Sequence, residues 1–253
     1  MRSVLPFLIG LCLPLLAQAD YSRTYLESHP LHIAEVGELD IAYRIVAPGP
    51  DKPKAVAIMG LGGSNVAWGD ALISGLANGG YEILLLDNRD TGASTRFDEW
   101  GQPVLWWELL KYQFGFSVNA PYTLNDMGAD IAGLMDVTGY SNAHIIGASM
   151  GGMITQIIAL DYPERVLSIT PIMTSPGVQN ESLSGPTKEL LEAMKKSFIF
   201  NLKGRIEDGV VEIYRQLTGS RFPFNEQEFR EKLKPVIAHG NNPFALHGAA
   251  VGA

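Results

Sequence analysis

A serine between small residues lies in the segment GASMG, residues 147–151. The segment fits the pattern G-x-S-x-G, in which a serine stands at a sharp turn between a strand and a helix. Gly147 and Gly151 leave room for this turn, so the hydroxyl of Ser149 would be exposed at the carboxyl end of the strand. Ser149 is therefore the candidate nucleophile for attack on a carbonyl carbon. The alternative is a small serine that merely fits a structural turn.

A second glycine-rich segment, MGLGGS at residues 59–64, follows an earlier apolar run. Acyl transfer requires two backbone N–H groups that face the developing oxyanion, one of them from the residue after the nucleophile. Met150 would provide that N–H, and Leu61, between Gly60 and Gly62, would provide the other. The same glycines could instead only turn the chain into the next helix, and the two roles are compatible.

The elements that must position these groups alternate along the chain. LHIAEVGELDIAYRIVAP has the alternation of an antiparallel hairpin. The apolar runs KAVAIMG and YEILLLDN are typical of strands buried on both faces of a parallel sheet. Between these two runs, helical spacing predicts a helix with Trp68, Leu72 and Leu76 on one face.

The same alternation continues around the serine. TLNDMGADIAGLMDVTG is predicted to be a helix, and it leads into the strand AHIIGAS. The helix GGMITQIIALDYPERV, stopped by Pro163, and the strand VLSITPIMTS follow. This order predicts an α/β fold with a mostly parallel sheet and helices on both faces. The apolar residues of the first of these helices are Leu124, Met127, Ile131, Leu134 and Met135.

These segments together resemble the α/β-hydrolase superfamily, and within it the branch around proline iminopeptidases and aclacinomycin-methylesterase-like hydrolases. The resemblance implies an α/β-hydrolase fold with Ser149 as the nucleophile. It also implies a tight turn at DNRDTG, in which Asp87 and Arg89 are structural. Met59 stands where many relatives have a histidine, a tolerable difference because the backbone makes the hydrogen bonds there. The segments are MGLGGSNVAW, LLDNRDTGAST, YTLNDMGADIAGLMDVTGYSNAHIIGASMGGMITQIIALDYPERVLSIT and IMTSPG.

The pattern changes to amphipathic helices after residue 176. GPTKELLEAMKKSFIF, GRIEDGVVEIYRQLTG and NEQEFREKLKPVIAHG have helical spacing and contain no clear strand. We therefore predict a core in residues 20–176 and an incomplete helical cap in residues 177–253, with the last strands of the fold missing.

A nucleophilic serine needs a histidine to accept its proton and an acid to orient that histidine. In this superfamily both follow the serine along the chain. His144 begins the strand that leads to Ser149, so it would lie at the far end of that strand. His29 and His32 lie in the N-terminal hairpin region and are interpreted as surface or core residues.

The segment VIAHGNNPFALHGAAVGA contains the two remaining histidines, His239 and His247. It could be the strand and loop that carry the acid in the family, but Asn241 and Asn242 are amides and cannot be that acid. We favour a helix that begins with Asn242 as its N-cap and Pro243 in its first turn. His247 is then an ordinary helix residue.

Three hypotheses follow. The first is a serine hydrolase that acts on an ester or amide of a small apolar molecule, in a truncated form without the catalytic acid and histidine. The second is a catalytically inactive binding protein of the same fold, and the third is a non-functional fragment. No metal or other cofactor is expected, because the chain has no suitable ligand spacing and no G-x-G-x-x-G after a strand.

The N-terminal segment MRSVLPFLIGLCLPLLAQAD has the pattern of a secretory signal peptide, residues 1–19. Small residues at Ala17 and Ala19 predict cleavage after Ala19 and a periplasmic or secreted protein. A stable membrane anchor is not expected, because an apolar run of about 13 residues is shorter than the roughly 20 that span a bilayer. Cys12, the only cysteine, would be removed with the signal peptide.

The charge of the chain points to a small-molecule partner. The formal net charge is −8, and no run of lysine or arginine occurs. Binding to nucleic acid requires clustered cations, so this class of partner is not expected.

Overall fold

The computed structural model describes residues 24–100, 122–176, 187–221 and 223–240. The predicted signal peptide lies outside the described residues, as do His247 and the helix start predicted at Asn242 and Pro243. The described strands are β1 (His32–Val36), β2 (Leu39–Val46), β3 (Lys54–Ile58), β4 (Glu82–Leu86), β5 (Ala143–Ala148) and β6 (Val166–Ile172).

These six strands form one sheet in the order β1-β2-β4-β3-β5-β6. β1 and β2 form the predicted antiparallel hairpin, and β2 is also antiparallel to β4. The pairs β3 with β4, β3 with β5 and β5 with β6 are parallel. The predicted mostly parallel sheet is therefore confirmed. Parallel strands end at one edge, so the segments after β3, β4, β5 and β6 share a side of the molecule.

Helices connect the strands and follow the sheet. The described α-helices are α1 (Thr24–Ser28), α2 (Asp70–Asn78), α3 (Leu124–Val137), α4 (Met150–Asp161), α5 (Lys188–Leu202), α6 (Ile206–Leu217) and α7 (Glu226–Ala238). Short 3₁₀ turns occur at Asn65–Ala67, Asp98–Trp100 and Pro163–Arg165. Among the described residues, no helix combines the length and the apolar character that crossing a bilayer requires.

The helix α3 follows its sequence pattern closely. Thr123 accepts a hydrogen bond from the backbone of Asp126, whose side chain accepts one from the backbone N–H of Thr123. This reciprocal pair satisfies two N–H groups at the start of the helix. The apolar positions predicted for its inner face are all buried, namely Leu124, Met127, Ile131, Leu134 and Met135.

The prediction for α2 was wrong at Leu72 and in the start of the helix, whereas Trp68 and Leu76 pack in the core. Trp68 lies before the helix, with extended backbone, and its carbonyl oxygen accepts a hydrogen bond from the hydroxyl of Tyr25 at 2.6 Å. Leu72 is exposed, whereas Ile73 is fully buried. Gly69 is the N-cap, so the helix begins later than the spacing suggested.

The strand β6 forms one edge of the described sheet. Its burial differs sharply from that of β5, which is almost wholly buried. Leu167 is 53% exposed and Ile169 is 39% exposed. Pro171 lacks an N–H group and is tolerated in an edge strand, where one ladder is absent. Within residues 122–176, 187–221 and 223–240, no strand follows β6, and that the last strands of the fold are missing stays a prediction.

The three helices predicted after residue 176 are present as α5, α6 and α7. α7 ends with His239 as its C-cap, so the alternative of a strand at VIAH is excluded. Val211, Leu233 and Val236 from α6 and α7 pack with Val66 in a small apolar cluster. These helices therefore contact the loop that follows β3. The boundary predicted between core and cap stays a prediction.

Candidate active site

Ser149 occupies the turn between β5 and α4. Its φ is +54° and its ψ is −119°, a conformation that residues with a side chain rarely adopt. The residue is exposed although its neighbours Ala148 and Met150 are buried. The predicted sharp turn with an accessible serine is therefore present at the carboxyl end of β5, a strand paired on both sides.

The two glycines of the motif are required by close packing. A Cβ atom at Gly147 would overlap the carbonyl oxygen of Gly151 and the hydroxyl of Thr155. A Cβ atom at Gly151 would overlap the carbonyl oxygen of Ile58, at the end of β3. Helix α4 therefore approaches β3 and β5 so closely that no side chain fits at either position.

The glycine-rich loop after β3 lies directly against the serine. A Cβ atom placed on Gly60 would be 3.0 Å from the Cβ atom of Ser149 and 3.6 Å from its Oγ. The N–H of Gly63 donates to the carbonyl oxygen of Gly60 at 3.0 Å, and Gly62 has a φ of +66°. These features form a β-turn with Leu61 at its exposed second position.

The two predicted oxyanion donors, the N–H groups of Leu61 and Met150, belong to residues adjacent to Gly60 and Ser149, which pack against each other. The turn uses the N–H of Gly63 and leaves the N–H of Leu61 outside its hydrogen bond. Met150 is the first residue of α4, and the N–H groups of the first helical turn have no partner within the helix. That both groups face one oxygen of a substrate stays a prediction.

A buried polar network centred on Asp87 binds Asn65, the residue that follows the glycine-rich loop. Asp87, which follows β4, is fully buried, and its Oδ1 accepts from the backbone N–H and the side-chain amide of Asn65, both at 2.6 Å. Its Oδ2 accepts from the N–H of Ala93 at 3.0 Å and lies 2.9 Å from Nε2 of His239. Asn65 also accepts a hydrogen bond from Nε of Arg44 at 3.0 Å. Burial lowers the pKa of Arg44, and the negative charge of Asp87 opposes this shift.

The neighbouring Arg89 makes a second ion pair away from the serine. Its Nε and one terminal nitrogen each lie 2.6 Å from an oxygen of Asp130, in a bidentate geometry. Burial raises the pKa of Asp130 even though Arg89 favours the charged form. These contacts support the structural interpretation of Asp87 and Arg89.

The described histidines have other partners than Ser149. Nδ1 of His144 lies 2.8 Å from the hydroxyl of Ser168, and Nε2 of His29 accepts from the N–H of Ala47 at 3.2 Å. The ring of His32 stacks near Tyr43 with a centroid separation of 5.5 Å. Within residues 24–100, 122–176, 187–221 and 223–240, no histidine is hydrogen-bonded to Ser149, and no cluster of acidic, histidine or cysteine side chains could hold a metal ion.

Two positioning contacts were not predicted from the sequence. The hydroxyl of Thr174 donates to the carbonyl oxygen of Ser149 at 2.6 Å. The side-chain amide of Asn88 donates to the carbonyl oxygen of Met59 at 2.9 Å, at the base of the glycine-rich loop. Both residues follow the end of a strand at the sheet edge where Ser149 lies. Their position just after a strand was the one sequence feature that could have predicted these contacts.

Comparison with known proteins places this geometry in a family. A model of the alpha/beta hydrolase fold matches residues 56–205, which is more than half of the chain. The chain belongs to the alpha/beta hydrolase family. The matched residues include the glycine-rich loop, the turn at Ser149 and the helix α5.

Curated relatives in this family include esterases. The chain is 27% identical over 212 residues to the rhodomycin D methylesterase DauP of Streptomyces sp. strain C5, and 26% identical over 213 residues to DnrP of Streptomyces peucetius. Each match covers 76% of this chain and 64% of the relative. The chain thus spans less than two thirds of the length of these relatives.

A solved structure supports the fold. The structure of a carboxylesterase from Nitrososphaera gargenis matches with a TM-score of 0.60 and 18% identity, covering 87% of this chain and 70% of that one. At this identity the match shows the fold alone.

Proposed function

We propose that this member of the alpha/beta hydrolase family is a serine hydrolase that forms an acyl-enzyme on Ser149. The observation that carries the proposal is the exposed serine in a strained turn, with the glycine-rich loop packed against it. A backbone conformation of this kind costs free energy and is maintained at functional sites because surrounding contacts enforce it.

The reaction would proceed in two steps. The Oγ of Ser149 attacks the carbonyl carbon of an ester or amide, its proton passes to solvent water, and the carbonyl oxygen becomes an oxyanion between the N–H groups of Met150 and Leu61. Collapse of this intermediate breaks the bond to the alcohol or amine, which leaves with a proton. Water then attacks the acyl group, releases the acid and restores the serine hydroxyl.

We propose that the 253-residue chain performs this chemistry without a complete triad. The described histidines are bonded elsewhere, and His239 contacts a carboxylate that belongs to the buried network. An oxyanion hole and substrate positioning alone retain about 10³ to 10⁴-fold acceleration over water. Slow turnover that depends on Ser149 is therefore the expected activity.

The proposed substrate is an ester, or an amide, of a small apolar molecule. The methylesterase activity named for DauP and DnrP favours an ester. The site would operate in the periplasm or outside the cell, after removal of the predicted signal peptide.

A specific observation also favours a second candidate, an inactive binding protein of the hydrolase fold. Among the described histidines none is hydrogen-bonded to Ser149, since His144 contacts Ser168 and His239 contacts Asp87. The exposed apolar side chains of β6 favour the third, a fragment without a function of its own.

Hydrolysis of p-nitrophenyl acetate and butyrate by the purified chain separates these candidates. Turnover above the buffer rate that is lost in Ser149→Ala and kept in Ser168→Ala would support the hydrolase. Equal turnover in wild type and Ser149→Ala would contradict it. A cooperative thermal melt with a well-dispersed NMR spectrum would exclude the unfolded fragment.

A further inference from the structure

Residues at and just after the end of β6 are hydrogen-bonded to both the N–H and the carbonyl oxygen of Ser149. The N–H of Ser149 donates to the carbonyl oxygen of Ile172 at 2.9 Å. The carbonyl oxygen of Ser149 accepts from the hydroxyl of Thr174 at 2.6 Å. It also accepts from the N–H groups of Gly152 at 2.9 Å and Met153 at 3.3 Å, within helix α4. Thr174 thus makes the shortest of the three hydrogen bonds to this oxygen.

The direction of this carbonyl determines the direction of a neighbouring donor. The peptide group between Ser149 and Met150 is planar and trans, so its C=O and N–H point in opposite directions. A hydrogen bond that fixes the oxygen of Ser149 therefore also fixes the N–H of Met150. We propose that Thr174 is a positioning residue that aims the Met150 N–H at the oxyanion.

Thr174 is suited to this role by the packing around it. A Cβ atom on Gly152 would lie 2.6 Å from the methyl carbon of Thr174, so this side chain rests against the first turn of α4. The N–H groups of Gly152 and Met153 bind the oxygen from within helix α4, whereas the hydroxyl of Thr174 binds it from the segment that follows β6. Loss of the hydroxyl would let the peptide plane tilt without loss of the helix.

The proposal rests on the proposed serine chemistry, and the test has two separate measurements. The first is the rate at which a fluorophosphonate probe inactivates Ser149 in wild type, Thr174→Val, Thr174→Ser and Thr174→Ala. Valine keeps the shape and removes the donor, serine keeps the donor, and alanine repeats the loss of the donor without the bulk of valine. The matched control is Thr170→Val, an exposed threonine on β6, four residues before Thr174.

We expect Thr174→Val and Thr174→Ala to lower the maximal inactivation rate about tenfold at unchanged probe affinity, since removing an oxyanion donor outright costs about 10² to 10³-fold. Thr174→Ser and Thr170→Val should stay close to wild type. Equal losses in Thr174→Ser and Thr174→Val would show that packing matters rather than the hydroxyl, and would overturn the proposal. An unchanged rate in Thr174→Val would overturn it as well.

The second measurement does not require activity. In protein labelled with ¹⁵N-methionine, the amide signal of Met150 is assigned by its loss in Met150→Leu. This signal should move in Thr174→Val and not in Thr170→Val, and an unmoved signal would overturn the proposal. A wild-type protein that never reacts with the probe, either as this chain or as a version extended by any coding sequence that follows it, would defeat the proposed function. The amide signal alone would then decide whether Thr174 aims the N–H of Met150.

Discussion

Nε2 of His239 lies 2.9 Å from Oδ2 of Asp87 and joins the end of α7 to the turn after β4. The same carboxylate binds the backbone and the side chain of Asn65, which follows the glycine-rich loop. The N–H of Gly92 also donates to the carbonyl oxygen of Gly240 at 3.1 Å. The helices after the sheet are therefore connected to the loop beside Ser149 through one buried carboxylate.

Removal of this carboxylate should strongly destabilise the protein. Asp87→Ala leaves the buried backbone and side-chain amide groups of Asn65 without their acceptor, and we expect a loss of about 3 to 5 kcal/mol of unfolding free energy. His239→Ala leaves the other three donors in place and should cost about 1 kcal/mol. Urea unfolding of both variants measures these values. Similar stability of Asp87→Ala and wild type would contradict the account of the network.

Close packing at Gly151 predicts a second loss of stability. The Cβ atom of Gly151→Ala would overlap the backbone oxygen of Ile58, so helix α4 must move away from β3, at a cost of about 3 kcal/mol. Gly75→Ala is the matched control, because Gly75 lies in α2 with open space around it. That variant should gain about 0.5 to 1 kcal/mol from helix propensity. Equal thermal stability of the two variants would contradict the packing argument.

From the hydrogen bonds of Glu82 we expect the free energy of unfolding of the protein to fall in acid. Burial opposes its ionisation, but hydrogen bonds from Lys54 at 2.9 Å, the N–H of Gly49 at 2.8 Å and the hydroxyl of Tyr140 at 2.8 Å hold its pKa below the ordinary value. Between the folded and unfolded pKa values the unfolded chain binds more protons, so stability falls as the pH falls through this range.

Glu82→Gln removes this contribution. At neutral pH the variant should be less stable than wild type by about 2 kcal/mol, because hydrogen bonds to a charged group are lost. The difference should shrink as the pH is lowered through the folded pKa of Glu82. Urea unfolding across the acid range gives the two curves. A difference that stays constant with pH would show that the charge of Glu82 does not contribute.

The N-terminal segment predicts processing on export. Expression of the full chain in a bacterium with a secretion pathway should yield a protein that begins at Asp20, because cleavage follows the small residues at Ala17 and Ala19. Ala19→Leu should block the cut and leave the longer chain. N-terminal sequencing of the exported protein distinguishes the two. A wild-type protein that retains Met1 would contradict the predicted cleavage.

Much of the fold was predictable because its signals are local. The hairpin, the apolar strands and the capped helix α3 follow from alternation, apolar runs and the pair Thr123 and Asp126. The turn at Ser149 was predictable because two glycines and a strand-to-helix change define it within a few residues. The start of α2 was not, because Tyr25, far away in sequence, binds the carbonyl of Trp68.

The supporting contacts of the site were harder to predict because they join distant segments. Thr174 meets Ser149, and His239 meets Asp87, only after the sheet has brought strand ends together. The α/β-hydrolase fold was implied by the family resemblance, but individual side-chain partners at the sheet edge were not. Asn65 is the clearest example, since a buried amide that joins three segments has no local pattern.

The most direct test of the central claim is covalent labelling of Ser149. The purified chain, and a version extended by any coding sequence that follows it, would be treated with a fluorophosphonate probe and digested for mass spectrometry. We predict one adduct, on the peptide that contains Ser149, and no adduct in Ser149→Ala. Absence of an adduct on Ser149 from both forms of the folded protein would contradict the assignment of this serine as a nucleophile.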